Sequence, residues 1–206
     1  MYCHSVGRNE RVIMTKISVF QSVTLDGVMQ GVGRSDEDVR DGFKHGGWGT
    51  GYQDEVSMQF AGEGMSNTGA LLFGHRTYVD LLGFWTATPE PNPFADILVS
   101  SPKYVASRSA DTELPYPNST LLSGEAVDLV TTLSREVDGD LTIMGSGKLI
   151  RSLHAAGLID EYVLQIHPIV LGSGTKLFGE GERVNLKLER SITTTTGVII
   201  AQYSTH

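Results

Sequence analysis

Residues 140–170 read DLTIMGSGKLIRSLHAAGLIDEYVLQIHPIV. The apolar run at 140–144 leads into Gly145-Ser146-Gly147, a strand meeting a tight turn. Leu149, Ile150 and Leu153 then fall on one helical face, and Gly157 stops that helix. A second strand follows over 160–170, rich in Val, Ile and Tyr. Strand, glycine turn, helix and strand in succession predict parallel strands of one sheet. Such strands need a helical crossover, because a tight turn can only reverse the chain.

On the amino-terminal side, residues 16–23 (KISVFQSV) alternate apolar and polar positions and read as a strand. Residues 24–52 form a long segment rich in Gly and Asp, with Gly46, Gly47, Gly49 and Gly51 around Trp48. Loops of this length in compact domains are usually lids, binding loops or disordered segments. A helix is expected over 54–65, a buried strand over 70–73, and a second helix from Gly74 to Leu82. Pro89, Pro91 and Pro93 predict an extended connection. Strands follow at 103–107 and 119–122. Ala126, Leu129, Val130, Leu133 and Val137 share a helical face, with Ser123 placed as its N-cap. Beyond residue 170, strands at 185–194 and 197–204 come without helices between them. This order predicts an α/β fold with one mixed, mostly parallel sheet, helices on both faces and an antiparallel carboxyl-terminal edge.

The chain has 206 residues, 40% hydrophobic and 19% charged, a balance that fits one globular domain with a substantial core. Residues 16–206 read as that domain, and residues 1–15 as a loose extension in which Met14 offers a natural start. The net charge of −8 argues against a nucleic-acid partner. The single cysteine, Cys3, excludes an intrachain disulfide framework and a cysteine-based zinc site. No apolar run is long enough to span a membrane, and the extension lacks the apolar stretch of a signal peptide. A cytoplasmic protein is expected. Asn118-Ser119-Thr120 matches a glycosylation acceptor, which without a secretory signal reads as coincidence.

In open α/β sheets ligands bind beyond the carboxyl ends of the strands, where helices begin. Gly74-His75-Arg76-Thr77 offers helix N-terminal amides, a guanidinium and a hydroxyl, the groups a phosphate needs; the plainer reading is an ordinary glycine turn. Ser107-Arg108 follows a buried strand and is a weak signal alone. Gly145-Ser146-Gly147-Lys148 would let a pyrophosphate approach backbone amides at a helix start, although glycines also serve close helix–sheet packing. Asp26, past the first strand and followed by Gly27, is a candidate for handling a proton or orienting a substrate; it is equally an Asp-Gly turn residue. His45 and Trp48 would form a lid, unless Trp48 simply pins its loop to the core.

Stronger motifs are excluded. A Walker P-loop fails at Thr142 and Leu149, and a Rossmann fingerprint fails at Ile150, where its third glycine belongs. His4, His45, His75, His154, His167 and His206 lack zinc-enzyme spacing, so no metal is expected; His154 is placed on a helix surface and His167 in a strand. Ser100-Ser101 and Ser173 lack the hydrolase elbow.

Five motifs remain: SVTLDGV at 22–28, LFGHRTY at 72–78, YVASR at 104–108, MGSGKL at 144–149 and PIVLGSGTKLF at 168–178. In this order, and with GFKHGGW at 42–48, the chain resembles the dihydrofolate-reductase-like superfamily. It looks most like stand-alone bacterial relatives of the reductase domain of the bifunctional riboflavin-biosynthesis deaminase-reductase. The resemblance spans residues 16–204.

The resemblance implies a three-layer fold and NADPH as hydride donor. It implies that Gly74, His75, Arg76 and Thr77 receive the 2′-phosphate, and that Ser107 and Arg108 lie near the adenosine. Gly145, Ser146, Gly147, Lys148 and Leu149 would cradle the pyrophosphate, and Gly172 and Ser173 would border the nicotinamide. It also implies departures. Dihydrofolate reductases have Arg or Lys where His75 stands, and an acid where Met58 stands, with Asp54 and Glu55 as stand-ins. The riboflavin enzymes carry a lysine where Phe20 stands, and a zinc deaminase domain that this chain lacks. The expected activity is hydride transfer to a C=N or C=O carbon of a small heterocyclic or sugar-linked substrate, like that of 5-amino-6-(5-phosphoribosylamino)uracil reductase. A non-catalytic NADP-binding sensor and a true dihydrofolate reductase stay open as alternatives. A homodimer is expected, because the related domains pair and the terminal strands leave an apolar, Thr-rich edge.

Overall fold

Leu71, Leu72 and Phe73 are consecutive, and each is 0% exposed. Successive side chains of a strand point to opposite faces, so both faces of their sheet must be covered. The structure is a computed structural model that describes residues 15–65, 67–87 and 93–205. Residues 1–14 of the expected extension, with Cys3, His4 and Met14, lie outside those residues, as do Pro89, Pro91 and His206. Thr15, placed in the extension by the sequence, is instead buried, and its hydroxyl donates to the Val137 carbonyl at 2.6 Å.

The sheet contains β1 (Ile17–Thr24), β2 (Thr68–Gly74), β3 (Lys103–Ser107), β4 (Ser119–Ser123), β5 (Asp140–Ile143), β6 (Glu161–His167), β7 (Lys187–Thr193) and β8 (Ile199–Ser204), in the order β4-β3-β2-β5-β1-β6-β8-β7. From β4 through β6 every pairing is parallel; β8 is antiparallel to β6 and to β7. The helices are α1 (Glu55–Met65), α2 (His75–Thr86), α3 (Pro93–Ser100), α4 (Ala126–Leu133) and α5 (Gly147–Ala155). On one face Val130 and Leu133 of α4 and Leu149, Ile150 and Leu153 of α5 pack with Val19, Leu72, Leu141 and Ile143. Each such side chain, taken fully out of water, contributes about 1.5–3 kcal/mol. On the other face Tyr78 and Leu82 of α2 and Leu98 of α3 pack with Leu71 and Phe73, while Phe60 of α1 packs with Ile200.

The structure corrects the sequence reading in four places. Ser123 is no helix cap: it is paired with Ser107 as the last residue of β4, and α4 starts from Glu125 without a side-chain cap. Val137 lies past the end of α4, yet it still packs against the core. His154 is not free on a surface, because its Nδ1 meets the Tyr162 hydroxyl at 2.7 Å. The proline-rich connection opens into α3, with Pro93 as its first residue, a place where its missing N–H costs nothing. Lys103 closes the other end of α3. Its side chain is 1% exposed, and Nζ donates to the carbonyls of Leu98, Val99 and Ser101 at 2.9, 3.0 and 2.7 Å.

Candidate functional site at the carboxyl ends of the strands

Strands β3, β2, β5, β1 and β6 are parallel neighbours, so their carboxyl ends lie along one margin of the sheet. That margin brings together Ser107, Gly74, Gly145, Asp26 and the segment after His167, which are far apart in sequence.

The starts of α2 and α5 meet there. The Gly74 amide donates to the Gly145 carbonyl at 3.0 Å. A Cβ on Gly74 would stand 2.6 Å from Ser146 Oγ, and one on Gly145, whose φ is 110°, would stand 3.0 Å from Thr77 Cγ2. Any larger side chain would force the two turns apart. The peptide between Gly145 and Ser146 is cis. Neither helix start carries a side-chain cap, at Gly74 or at Ser146. First-turn amides without side-chain acceptors, together with the positive ends of two helix dipoles, are suited to an anion.

Around this junction the other expected residues take distinct positions. Arg76 is exposed and Thr77 half-buried; Arg76 lies 3.8 Å from Asp38 and 3.6 Å from Asp80. His75 is half-buried with its ring tilted over Tyr78. Lys148 is exposed, whereas the Leu149 side chain is in the core. Ser107 Oγ is taken up by Thr112 at 2.6 Å and by the Ser109 amide at 3.2 Å, and Arg108 is exposed.

Asp26 joins two loops. Its carboxylate accepts from Thr24 Oγ1 at 2.6 Å, from the Leu171 amide at 3.2 Å and from the Gly172 amide at 2.8 Å. These bonds, the Thr24 hydroxyl foremost, hold its pKa down to about 2, so the group is ionised at neutral pH. Beside it, Ser173 helps to line a cavity of about 270 Å³ with Gln30, Arg40, Phe43 and Thr175. A second cavity of about 230 Å³ lies between α1 and the sheet, lined by Ser18, Phe20, Phe60, Thr142 and Val163 among others.

Trp48 is buried and its Nε1 donates to the Gln30 carbonyl at 2.7 Å, so it pins the long loop to the body of the protein. His45 is exposed and touches the Phe43 ring edge-on. Gln30, which sequence reading passed over, is the hub of this region. Its amide donates to the carbonyls of Asp38 and Arg40 and accepts from the Thr175 amide and hydroxyl. A single glutamine in a glycine-rich loop carries no local signal of that role. Asp54, expected as a folate-binding stand-in, is spent elsewhere. It accepts from the Ser57 amide at 2.8 Å and from the Thr195 amide and hydroxyl at 2.6 Å each, which caps α1 and ties it to the β7–β8 turn. Among the described residues no cluster of His, Cys, Asp and Glu could hold a metal ion, and no helix is long and apolar enough to cross a membrane.

A family model described as the RibD C-terminal domain matches residues 15–200. Uncharacterized protein YyaP of Bacillus subtilis (strain 168) is 31% identical over 141 residues, 65% of this chain and 72% of that protein. A structure from Shewanella sp. PV-4, described as a riboflavin biosynthesis protein, aligns with a TM-score of 0.66 at 23% identity, covering 93% of this chain and 99% of its own. RibD of Acinetobacter baumannii aligns at 0.63 and 13% identity, over 94% of this chain and 59% of that one. Dihydrofolate reductase from Enterococcus faecalis, complexed with NADP(H), aligns at 0.58 and 11% identity, over 92% and 94%. These structures establish the dihydrofolate-reductase-like fold.

Proposed function

The chain belongs to the RibD C-terminal domain family, and from that membership we propose that it is an NADPH-dependent reductase. Its substrate would be a small heterocyclic or sugar-linked molecule reduced at a C=N or C=O carbon. The observation that carries this reading is the meeting of two uncapped helix starts, α2 and α5, with Arg76 and Thr77 beside them. A dinucleotide needs such a cradle for its phosphates, and Gly74 and Gly145 let the two helix starts approach closely enough to share one, where a Cβ would push them apart.

In this reading the amides of residues 145–149 hold the pyrophosphate, and Arg76 and Thr77 hold the 2′-phosphate with His75 at their side. Ser107 and Arg108 flank the adenosine; Gly172 and Ser173 border the nicotinamide. NADPH, when bound, supplies the hydride. Asp26 is a positioning residue here, because a carboxylate with three donors and a pKa near 2 is a poor proton relay at neutral pH. It fixes residues 171–172 against the turn after β1, which keeps the nicotinamide-side loop in place. Asp54, already saturated by Ser57 and Thr195, favours a non-folate substrate over dihydrofolate.

The test is calorimetric titration with NADPH and NADH, in the wild type and in Arg76→Ala. Tighter NADPH binding is expected, and the variant should lose about 1.5–3 kcal/mol for NADPH and little for NADH. Equal wild-type affinities would overturn the cofactor assignment. Cofactor consumption across a substrate panel that includes 5-amino-6-(5-phosphoribosylamino)uracil and dihydrofolate then identifies the reaction. Tight NADPH binding with no turnover on any member would favour a sensor.

A further inference from the structure

The amino-terminal half of the long loop lies along one stripe of α2. Arg76, Asp80 and Phe84 stand at i, i+4 and i+8 of that helix and so share a face. The Arg34 guanidinium sits 5.6 Å from the centre of the Phe84 ring. Arg76 donates to the Glu37 carbonyl at 3.5 Å and lies 3.8 Å from Asp38 Oδ1, while its Nε lies 3.6 Å from Asp80. Asp38 also takes Arg40, whose Nε donates at 2.8 Å and whose backbone amide donates at 3.2 Å, with a further short bond from Nη2. The Asp38 side chain is only 13% exposed, yet both of its guanidinium partners are 49% exposed. A carboxylate between two guanidinium groups, one of them from the first turn of α2, stands where a phosphate would gain the same partners.

We propose that Asp38 competes with the cofactor for Arg76 and so tempers the preference for the 2′-phosphate: its carboxylate holds Arg76 and gives it up to that phosphate, which releases segment 33–42 from α2. This inference rests on the NADPH reading above. NADH has no 2′-phosphate and leaves the Asp38–Arg76 pair in place, so only the phosphorylated cofactor both binds and frees the strap. The exchange is favourable because the Asp38–Arg76 contact is long, at 3.8 Å, whereas a phosphate brings nearly two charges and three acceptor oxygens to the same guanidinium groups. Arg40 keeps Asp38 paired after the exchange, so no charge is stranded. The Arg40 bonds also hold the Asp38 carboxyl down to about 2, and the competitor is therefore present at every ordinary pH.

The experiment uses the full chain with 2′,5′-ADP and 5′-ADP as probes beside NADPH and NADH. Asp38→Asn should bind 2′,5′-ADP and NADPH about two- to fivefold more tightly, as expected for removal of one long ion-pair competitor, with 5′-ADP and NADH unchanged. Arg40→Gln has the opposite sign: it leaves Asp38 to Arg76 alone and should weaken 2′-phosphate binding by a similar factor. Hydrogen exchange at the amides of residues 33–42 should speed up when 2′,5′-ADP binds the wild type and stay constant with 5′-ADP. Should Asp38→Asn fold poorly, the Arg40→Gln and exchange results decide alone. Preference for the 2′-phosphate with no Asp38→Asn gain, or with weaker binding of both probes, overturns this inference and leaves the cofactor reading standing. No preference in the wild type overturns both.

Discussion

Asp26 and His167 sit at the ends of neighbouring strands, and their surroundings make opposite demands on charge. The Asp26 carboxylate needs its charge to bind Thr24, Leu171 and Gly172. Asparagine can accept at one atom only, and its NH₂ would face an amide donor. Asp26→Asn should cost about 1–3 kcal/mol of stability and lower turnover on the identified substrate by about 10²-fold through loop misplacement. The pH–rate profile should keep its shape; a lost limb in that profile would restore Asp26 as a proton relay. His167 is 4% exposed, with neither ring nitrogen hydrogen-bonded among the described residues, and is set edge-on to Trp48 and Tyr52 at 5.1 Å each. Burial pushes its pKa down to about 4. A neutral imidazole is thus favoured by the fold, and the unfolded chain binds more protons between the two pKa values. Stability should be full above about pH 6.5 and should fall as the pH drops toward 4, by on the order of 2–3 kcal/mol. Urea unfolding of the wild type and His167→Phe across that window checks this. The slope should flatten in the variant, and an unchanged slope would assign the pH dependence to other groups.

Among the elements, α3 depends most visibly on a single residue just past its end, Lys103. Its last carbonyls converge on the Lys103 ammonium, and Asn118 also donates to Val99 and Ser100. A cation at a helix carboxyl terminus satisfies orphan carbonyls and complements the dipole. Its burial lowers the Lys103 pKa, but three hydrogen bonds offset that cost. Lys103→Met keeps the length and removes the donors, and it should destabilise the protein by about 2–4 kcal/mol in urea unfolding. A change below ~0.5 kcal/mol would mean that water serves the carbonyls equally well. The glycine turns at the starts of α2 and α5 were legible as turns in the sequence. That they abut, through Gly74–Ser146 and Gly145–Thr77 contacts, follows from β2 and β5 being neighbours.

For the whole molecule, the expected homodimer needs a different surface from the one the sequence indicated. Strand β8 is interior, and the edge strand β7 exposes Lys187, Glu189 and Arg190, charges that discourage edge pairing. We propose that pairing instead uses a sheet face, where Leu188 and Ile199 are 52% and 43% exposed and register places them beside Tyr203 and Ile166. Light scattering should give twice the chain mass of 22.3 kDa, and Leu188→Asp should return it to one chain. A wild type that remains single across micromolar concentrations would refute the pairing. The sequence by itself determined the eight strands, most helices, the glycine turns and the motif order that marks the family, because those signals repeat within a few residues. Only the tertiary structure decided that Ser123 ends a strand, that His154 meets Tyr162, and that Arg76 is held by Asp38. It alone showed that Asp26 binds a glycine 146 positions away. A bond between residues so far apart leaves no periodic trace in the chain; it exists because parallel crossovers lay distant strand ends side by side.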